Sequence, residues 1–308
     1  MAYYLGIDGG GTKTRCLLAD ETTVLAKAMA GGSNIVRLGE KQAREALHTV
    51  VHAVCATANI SPNQISAICI GAAGAARPEI ATKIRSILAE LATTLANIEV
   101  VGDTEIALEA AFGAGPGVIA IAGTGSILYG RDAAGHTARA GGWGFAISDE
   151  GSGHWIGRHA ISAILNARDQ GLETTLTALL LKAWKLRTID ELVQHANSTP
   201  PPDFPRLFPV VLRAADEGDS IARDLLADAG VRLANLAAIV MRRLAPHAAA
   251  PPQAAAALPV AMTGSVFRQS AVVRQIFYNT LQESFSNIDV RQDLVDPVEG
   301  ALARAKRR

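Results

Sequence analysis

The sequence predicts an α/β protein built from two lobes that repeat the same order of elements. A strand, a loop of small residues and a second strand occur at residues 3–19 and again at residues 118–130. After each of these units, apolar strand patterns alternate with helical patterns. A chain of 308 residues also lies near the length at which one hydrophobic core tends to divide. We therefore expect one domain of residues 1–115 with 296–308 and a second of residues 116–295, with a cleft between them.

The first lobe begins with strand patterns at residues 3–7, 14–19 and 24–29, which predict an antiparallel meander. Apolar side chains then recur at helical spacing over residues 41–58, and Pro62 follows, so a helix is expected there. The remaining patterns of this lobe indicate strand 65–70, helix 78–95, strand 98–101 and helix 105–112.

The second lobe follows glycine and proline residues at 113–117, which we interpret as a hinge. Its first strand patterns lie at residues 118–122, 127–130 and 136–140. A helix-rich insertion at about residues 155–246 comes next, and its last helix carries an apolar stripe from Ile221 to Leu244, capped by Asp219 or Ser220 and ended by Pro246. Residues 248–259 are a low-complexity connection, and the final patterns indicate strand 260–262, a helix carrying Val272, Val273 and Ile276, strand 288–290 and helix 298–305.

The composition is that of a globular protein without a strong charge. Apolar residues make up 49% and charged residues 19%, and 29 basic residues balance 29 acidic ones. No global field would attract nucleic acid or anionic lipid, and we expect neither as a partner. Cys16, Cys55 and Cys69 lie in apolar runs without metal-binding spacing and are expected to be small core residues. With no secretory signal and no run of membrane-spanning length, a cytoplasmic protein is expected.

Residues 5–14 carry the strongest local signal. Asp8 ends an apolar strand, three glycines follow, and Thr12 and Lys13 add a hydroxyl and a cation. Glycines let backbone N–H groups approach an anion, which is the chemistry of phosphate binding. A strand pattern rather than a helix follows, so neither the dinucleotide nor the Walker-type motif is matched. The alternative is a glycine-rich turn without a ligand.

Two more loops of small residues, at residues 123–126 and 263–265, also follow apolar strands, and Asp103 ends another strand. Ligands of α/β sheets bind at such strand ends. Two phosphate loops, a third loop for the nucleoside and one carboxylate would suit an ATP-dependent phosphotransferase. Phosphoryl transfer depends mainly on positioning and on stabilisation of charge.

Six short motifs in order along the chain resemble those of the N-acetylglucosamine kinases. These enzymes are BadF/BadG-type ATPases of the actin, hexokinase and Hsp70 superfamily. The motifs occupy residues 8–12, 31–34, 102–103, 123–126, 141–144 with 148–152, and 296–301. The resemblance covers nearly the whole chain and implies two duplicated ribonuclease H-like lobes and the use of ATP and Mg²⁺. It also implies a homodimer and phosphorylation of an amino sugar at the 6-hydroxyl, most simply of N-acetylglucosamine.

Carried over residue by residue, the resemblance implies a nucleotide site. Asp8 would hold Mg²⁺ through water. The groups expected to meet the phosphates of ATP are Gly10, Gly11, Thr12 and Lys13 in one loop and Gly123, Thr124, Gly125 and Ser126 in the other. The adenosine pocket is expected at Ala214, Ala215, Gly264 and Ser265, although alanine-rich helix ends are also common core features.

The resemblance also implies an acceptor site. Asp103 would be the general base that takes the proton from the attacking sugar hydroxyl, and a simple helix cap is the alternative. The groups expected to bind the sugar are Ser33, Asn34, Asp103, Gly142, Trp143, Gly144 and Asp149. A loop turn at Ser33 and a core tryptophan at Trp143 are the competing interpretations.

The sequence leaves several functions open. It does not separate N-acetylglucosamine from glucosamine, N-acetylmannosamine or N-acetylmuramic acid as the acceptor. A non-catalytic sugar or nucleotide sensor with the same fold is a second hypothesis. A third is the dehydratase-activating ATPase of the same family, which needs loop cysteines for an iron–sulfur cluster. Cys55 and Cys69 fall in helix and strand patterns and do not match that requirement.

Overall fold

The computed structural model describes residues 2–91, 97–245, 258–285 and 287–308. The described strands are β1 (Tyr3–Gly9), β2 (Lys13–Ala19), β3 (Val24–Gly31), β4 (Ile65–Ala72), β5 (Ile98–Gly102), β6 (Gly117–Ala122), β7 (Ser126–Arg131), β8 (Thr137–Gly141), β9 (Val260–Thr263) and β10 (Val290–Leu294). The described α-helices are α1 (Ile35–Leu38), α2 (Glu40–Ala58), α3 (Pro78–Ala89), α4 (Asp103–Phe112), α5 (Gly153–Asp169), α6 (Thr175–Trp184), α7 (Ile189–Ala196), α8 (Phe208–Asp216), α9 (Ser220–Leu244), α10 (Ser265–Gln269), α11 (Ala271–Ser284) and α12 (Pro297–Lys306).

The chain forms two compact units, residues 1–115 with 295–308 and residues 116–294. In the first unit the strand order is β3-β2-β1-β4-β5, with β2 antiparallel to both neighbours and β1, β4 and β5 parallel. In the second unit the order is β10-β9-β6-β7-β8, and β6 to β10 repeat the pairing of β1 to β5 strand for strand. This repeated mixed sheet is the ribonuclease H-like arrangement that the sequence predicts.

Alternation along the strands of the first unit buries both faces of its sheet. Leu5, Ile7, Cys16, Leu18, Ile68 and Ile70 pack on α2 and α3 on one face. Leu17 and Cys69 point the other way, where they join buried side chains of α4 and α12. Because α12 follows the whole second unit, the first sheet is covered by the last helix of the chain.

Two glycines allow α12 to approach closely. A Cβ on Gly6 would lie 2.4 Å from the backbone N of Leu302, and one on Gly300 would lie 2.0 Å from the carbonyl O of Ile106. Any larger residue at either position would force α12 away from β1 or α4.

In the second unit, α9 supplies most of one core face. Its stripe, including Leu226, Leu233, Val240 and Leu244, is buried against the sheet and the neighbouring helices. Asp219 caps the helix by accepting a hydrogen bond from the backbone N–H of Ala222, as expected.

The remaining boundaries differ from expectation at a few places. The last strand runs over Val290–Leu294, so the strand predicted at residues 288–290 overlaps it only at Val290. The helix predicted over residues 78–95 ends earlier, at Ala89, and residues 92–95 of that prediction lie outside the described residues. Pro246 and most of the low-complexity connection at 248–259 also lie outside them. Cys16, Cys55 and Cys69 are buried and free, as predicted. None of the described helices is long and apolar enough to cross a membrane.

Candidate active site

The glycine loop of the first unit is a tight hairpin between β1 and β2. The backbone N–H of Gly10 donates to the carbonyl O of Lys13 at 3.0 Å and closes the turn. The carbonyl O of Gly10 accepts a hydrogen bond from the backbone N–H of Ser33 at 3.1 Å. This bond holds the segment after β3 against the loop. A Cβ on Gly32 would lie 2.6 Å from the carbonyl O of Gly11. The loop conformation is therefore fixed by backbone contacts.

Ser33 supports this loop from below. Its side chain pairs with the hydroxyl of Thr14 at 2.8 Å, and Ser33 is 1% exposed. Ser33 therefore supports the loop, and its expected contact with the sugar stays a prediction. Asn34 is partly exposed, and its side-chain oxygen caps α1 by accepting from the backbone N–H of Arg37. Its amide NH₂ is the group that could face a ligand.

Asp8 and Asp103 lie at the same edge of the first sheet. Asp8 is opposite Gly71 of β4, and Ala72 of β4 is opposite Gly102, which precedes Asp103. Burial, followed by the negative charge of Asp103, raises the pKa of Asp8 to about 6. Burial also raises the pKa of Asp103, against the lowering effect of the Thr104 backbone N–H that donates to its carboxylate. Two partly desolvated carboxylates therefore stand beside the glycine loop.

Asp103 is the first residue of α4, and Gly102 is the residue that caps the helix. The side chain of Glu105 reaches back to the backbone N–H of Gly102 at 3.2 Å. The half-buried carboxylate of Asp103 also accepts from the backbone N–H of Thr104 at 3.0 Å, so a capping contact at the start of α4 coexists with its place beside Asp8.

In the second unit, the loop at residues 123–126 occupies the equivalent place between β6 and β7. The first turn of α5 holds it, since the backbone N–H groups of Gly153 and His154 donate to the carbonyls of Gly123 and Thr124. Ser126 is buried, and its hydroxyl donates to the carbonyl O of Glu150 at 2.7 Å. Ser126 thus positions the loop, while the backbone of Gly123 to Gly125 remains at its tip.

The third small-residue loop meets the second. Gly264 has a φ of +106°, and a Cβ there would lie 2.1 Å from the carbonyl O of Ala122. Only glycine permits this approach. The Ser265 hydroxyl lies 3.8 Å from the position that a Cβ on Gly123 would take. Gly264 and Ser265 therefore adjoin the loop of residues 123–126, and their expected contact with adenosine stays a prediction.

Asp149 joins two of the predicted segments. It has a φ of 69°, is buried, and accepts backbone hydrogen bonds from Ser126 and Gly144. A Cβ on Gly125 would lie 2.8 Å from its Oδ2 atom. Burial raises its pKa, and the two backbone donors act in the opposite direction. Asp149 fixes the loop of residues 123–126 relative to residues 142–144.

Trp143 stands at the surface of the second unit rather than in its core. Its side chain belongs to a residue that is 67% exposed, between Gly142 and Gly144, which both have positive φ. The competing interpretation of a core tryptophan is therefore wrong.

The chain matches a known protein family over residues 5–305, that of the BadF/BadG/BcrA/BcrD ATPases. The chain belongs to this ATPase family. It is 36% identical over 237 residues to an N-acetylmuramic acid/N-acetylglucosamine kinase of Clostridium acetobutylicum, covering 76% of this chain and 77% of the relative. It is 29% identical over 315 residues to an N-acetyl-D-glucosamine kinase of Dictyostelium discoideum, covering 98% and 97%.

A solved structure agrees with these relatives. A candidate N-acetylglucosamine kinase from Chromobacterium violaceum superposes with a TM-score of 0.75 at 29% identity, over 98% of each chain. The repeated sheet described above is therefore shared with a protein that also resembles this one in sequence.

Two residues expected in the adenosine pocket of this BadF-type ATPase have buried side chains. Ala214 has no exposed surface and Ala215 is 4% exposed, because α8 packs both against the apolar core. Their carbonyls accept from the backbone N–H groups of Asp219 and Gly218. Their side chains belong to the core, and their expected contact with adenosine stays a prediction.

Sequence reasoning missed an ion pair beside Asp8 at this edge of the first sheet. Arg15, opposite Asp8 on β2, donates two hydrogen bonds to the Asp296 carboxylate, at 2.6 and 2.5 Å. The charge of Arg15 lowers the pKa of Asp8, and that of Asp296 raises it. The motif at residues 296–301 pointed to this segment, but nothing in the sequence joined it to Arg15.

The donor set of the first unit fits Mg²⁺. This ion prefers oxygen ligands, often one or two carboxylates together with phosphate oxygens and waters. Asp8 offers such an oxygen beside the glycine loop. Burial, followed by the charge of Asp103, raises its pKa, and a bound cation would favour its ionised form. Among the described residues, no group of three or more histidine, cysteine, aspartate or glutamate side chains could hold a metal by itself. An ion bound here would need the phosphates of a nucleotide to complete its ligands.

Proposed function

We propose that this protein transfers a phosphoryl group from ATP to the 6-hydroxyl of an amino sugar, with N-acetylglucosamine as the preferred acceptor. The observation that carries the proposal is the pair Asp8 and Asp103, two carboxylates at one sheet edge beside a glycine loop. The kinase names of the relatives over most of the chain support the same reaction.

In this proposal the first unit binds phosphates and activates the acceptor. The backbone N–H of Gly11, with Thr12 and Lys13, holds phosphate oxygens, while the N–H of Gly10 closes the turn by donating to the carbonyl O of Lys13. Bound Mg²⁺, held by Asp8 through water, would supply charge neutralisation on the phosphates. The Asp103 carboxylate accepts the proton of the sugar hydroxyl as that oxygen attacks, and its raised pKa makes it a better base than an exposed aspartate.

The second unit supplies the other binding groups. Thr124 and Gly125 at the tip of the loop contact phosphate. The loop is held by the hydrogen bond from the Gly123 N–H to the carbonyl O of Gly125 and by Ser126. Gly264 and Ser265 border the nucleoside. The Trp143 loop binds the sugar, and Asp149 orders that loop.

The test is a coupled ATPase assay with a panel of acceptors. N-acetylglucosamine should give the highest kcat/KM, with glucosamine, N-acetylmannosamine and N-acetylmuramic acid below it. The 6-deoxy form of N-acetylglucosamine is the matched control, because it keeps every other group and should bind without accepting phosphate. Turnover of the 6-deoxy sugar would contradict the position of transfer, and no turnover of any amino sugar would contradict the proposal.

N-acetylmuramic acid is the alternative acceptor with a specific observation behind it, the 36% identity to a kinase named for both sugars. A higher kcat/KM for N-acetylmuramic acid than for N-acetylglucosamine in the same panel would favour it.

We also propose that the enzyme is a cytoplasmic homodimer. ATP, the proposed donor, is a cytoplasmic metabolite, and the resemblance described above implies a dimer. Light scattering coupled to size-exclusion chromatography should give twice the chain mass of 32.1 kDa. A single-chain mass at micromolar concentration would contradict the dimer.

A further inference from the structure

Arg139 lies against the ring of Trp143. The Cζ atom of Arg139 is 4.0 Å from the ring centroid of Trp143, within the range of a cation–π contact. Both residues belong to the second unit, Arg139 on β8 and Trp143 just beyond its end. The guanidinium covers one face of an otherwise exposed indole.

The strand fixes the position of Arg139. Ala138 and Ala140 pack towards the core, so the alternation of the strand turns Arg139 to the opposite face. Its carbonyl O accepts a hydrogen bond from Nη1 of Arg243 at 2.9 Å, which ties this part of β8 to the end of α9. The backbone of Arg139 is therefore held in a fixed position.

The guanidinium of Arg139 stacks on the ring of Trp143. Its Nε atom is buried and, among the described residues, has no hydrogen-bond partner. A donor held out of water without a partner is costly, and a partly desolvated cation interacts more strongly with an aromatic face. The stacking on Trp143 is the contact that offsets this cost.

The turn between the two residues limits the other positions that Trp143 could take. Gly141 and Gly142 have φ values of 69° and 68°, and a Cβ on Gly142 would lie 2.8 Å from Ile127. The chain can follow this path only with glycine there. The face of the indole away from Arg139 is left open to solvent.

We propose that Arg139 is a positioning residue, which holds the indole of Trp143 in place so that its open face receives the apolar face of the amino sugar ring. This rests on the proposed function, since a sugar is the ligand assumed. A ring that is already fixed loses less conformational freedom when the sugar binds, so Arg139 acts on the binding of the sugar and not on the chemical step.

The first experiment needs no substrate. Acrylamide quenching of tryptophan fluorescence is measured in the full chain and in its Trp143→Phe variant, and the difference isolates the signal of Trp143. Arg139→Gln, made with and without Trp143→Phe, should raise the quenching constant of Trp143 about two-fold, because both ring faces become accessible. Arg232→Gln is the matched control: it removes a guanidinium 5.0 Å from the ring of Trp155 and should leave the Trp143 signal unchanged.

The second experiment measures kinetics. Arg139→Gln should raise KM for the amino sugar about three-fold, with kcat and KM for ATP unchanged, since a cation–π contact corresponds to a few-fold change in an equilibrium. Arg139→Lys should recover part of the loss, and Arg232→Gln should behave as the unaltered protein.

The outcomes separate this inference from the proposed function. If Arg139→Gln phosphorylates the sugar and shows unchanged quenching of Trp143, or an unchanged KM for the sugar, this inference is wrong. The proposed function is then unaffected. A fall in kcat at constant KM would overturn the inference too, because a positioning role predicts the reverse. If no amino sugar binds or reacts, the proposed function fails. The inference that Trp143 receives a sugar then fails as well, even if quenching shows that Arg139 covers one face of Trp143.

Discussion

Asp103 and Glu105 stand two residues apart at the start of α4, yet the structure assigns them different contacts. Glu105 satisfies the backbone N–H of Gly102, while Asp103 is a half-buried carboxylate whose charge raises the pKa of Asp8. In the proposed reaction, removing the base at Asp103 should lower kcat, whereas removing charge at Glu105 should not.

We expect Asp103→Asn to lower kcat about 10²- to 10⁴-fold with little change in KM for ATP, the usual contribution of a general base. Glu105→Gln is the matched control, because the Gln oxygen can still accept from Gly102 and keep the helix start intact. Steady-state kinetics, with thermal unfolding of both variants, make the comparison. Equal activity in Asp103→Asn and Glu105→Gln would leave Asp103 as a structural residue only.

Asp8 should reduce the stability of the metal-free protein at neutral pH. Its pKa is about 6 in the folded chain against an ordinary 3.8, so between these values the folded state binds more protons than the unfolded state. Stability therefore falls as pH rises through this window, and the full cost is present above pH about 6. A tenfold change in a proton-binding constant corresponds to roughly 1.4 kcal/mol, before screening at a partly exposed site.

Asp8→Asn should accordingly stabilise the metal-free protein by about 1 to 3 kcal/mol at pH 7 and by much less at pH 4, while abolishing activity. Urea unfolding at the two pH values measures this. The exposed Asp224, changed to Asn, is the control and should alter stability at neither pH. Equal gains for Asp8→Asn at pH 4 and pH 7 would show that the carboxylate's ionisation is not the cause.

At the scale of elements, Gly300 allows α12 to pack closely across α4. A Cβ there would lie 2.0 Å from one backbone atom of α4 and 2.6 Å from another. Gly300→Ala should therefore cost about 1 to 3 kcal/mol of unfolding free energy, despite the higher helix propensity of alanine. Gly31→Ala is the control, since no atom lies within 4 Å of a Cβ at that position. A Gly300→Ala protein as stable as Gly31→Ala would contradict the tight crossing.

The sequence predicts elements well where an apolar pattern has a clear period. It predicts α2 and α9 to within a residue at the ends that are described, because both carry long apolar stripes. It places the last strand at residues 288–290, which overlaps β10 only at Val290, because Arg291, Gln292 and Asp293 are exposed on an edge strand and show no apolar run. It also misses α1, since four residues are too few to display a helical period.

Site residues are harder to predict, because they depend on which segments fold together. Small-residue loops after strands are visible in sequence, and Gly264 does meet the end of β6. Ser33 lies beneath the loop of residues 10–12, where its hydroxyl pairs with Thr14, and no local pattern signals that burial. The pair Arg15 and Asp296 joins residues 281 positions apart, a separation that periodicity cannot bridge.

At the scale of the whole molecule, the first unit is built from two separate segments of the chain, one at each end. Residues 116–294 form the second unit, and the chain then returns to the first with α12. Val298 and Leu302 of that helix pack with Leu17 and Ala19 of β2, and Ala301 and Ala305 with Cys69 and Ile106. The first unit therefore cannot complete its core until the last residues of the chain have been made.

A chain ending at Val295 should lose the stability of the first unit selectively. Without α12 one face of its sheet is exposed, so amide protection of β1 and β4 should fall by several orders of magnitude. Strands β6 and β9 should keep theirs, because no residue of 296–308 belongs to the second unit. Hydrogen exchange read by mass spectrometry measures both.

A chain ending at Lys306 is the control. It keeps α12 but loses the partly exposed pairs of Arg307 with Glu109 and Arg308 with Glu99, which contribute little to stability. Equal loss of protection in both units would show that they unfold as one.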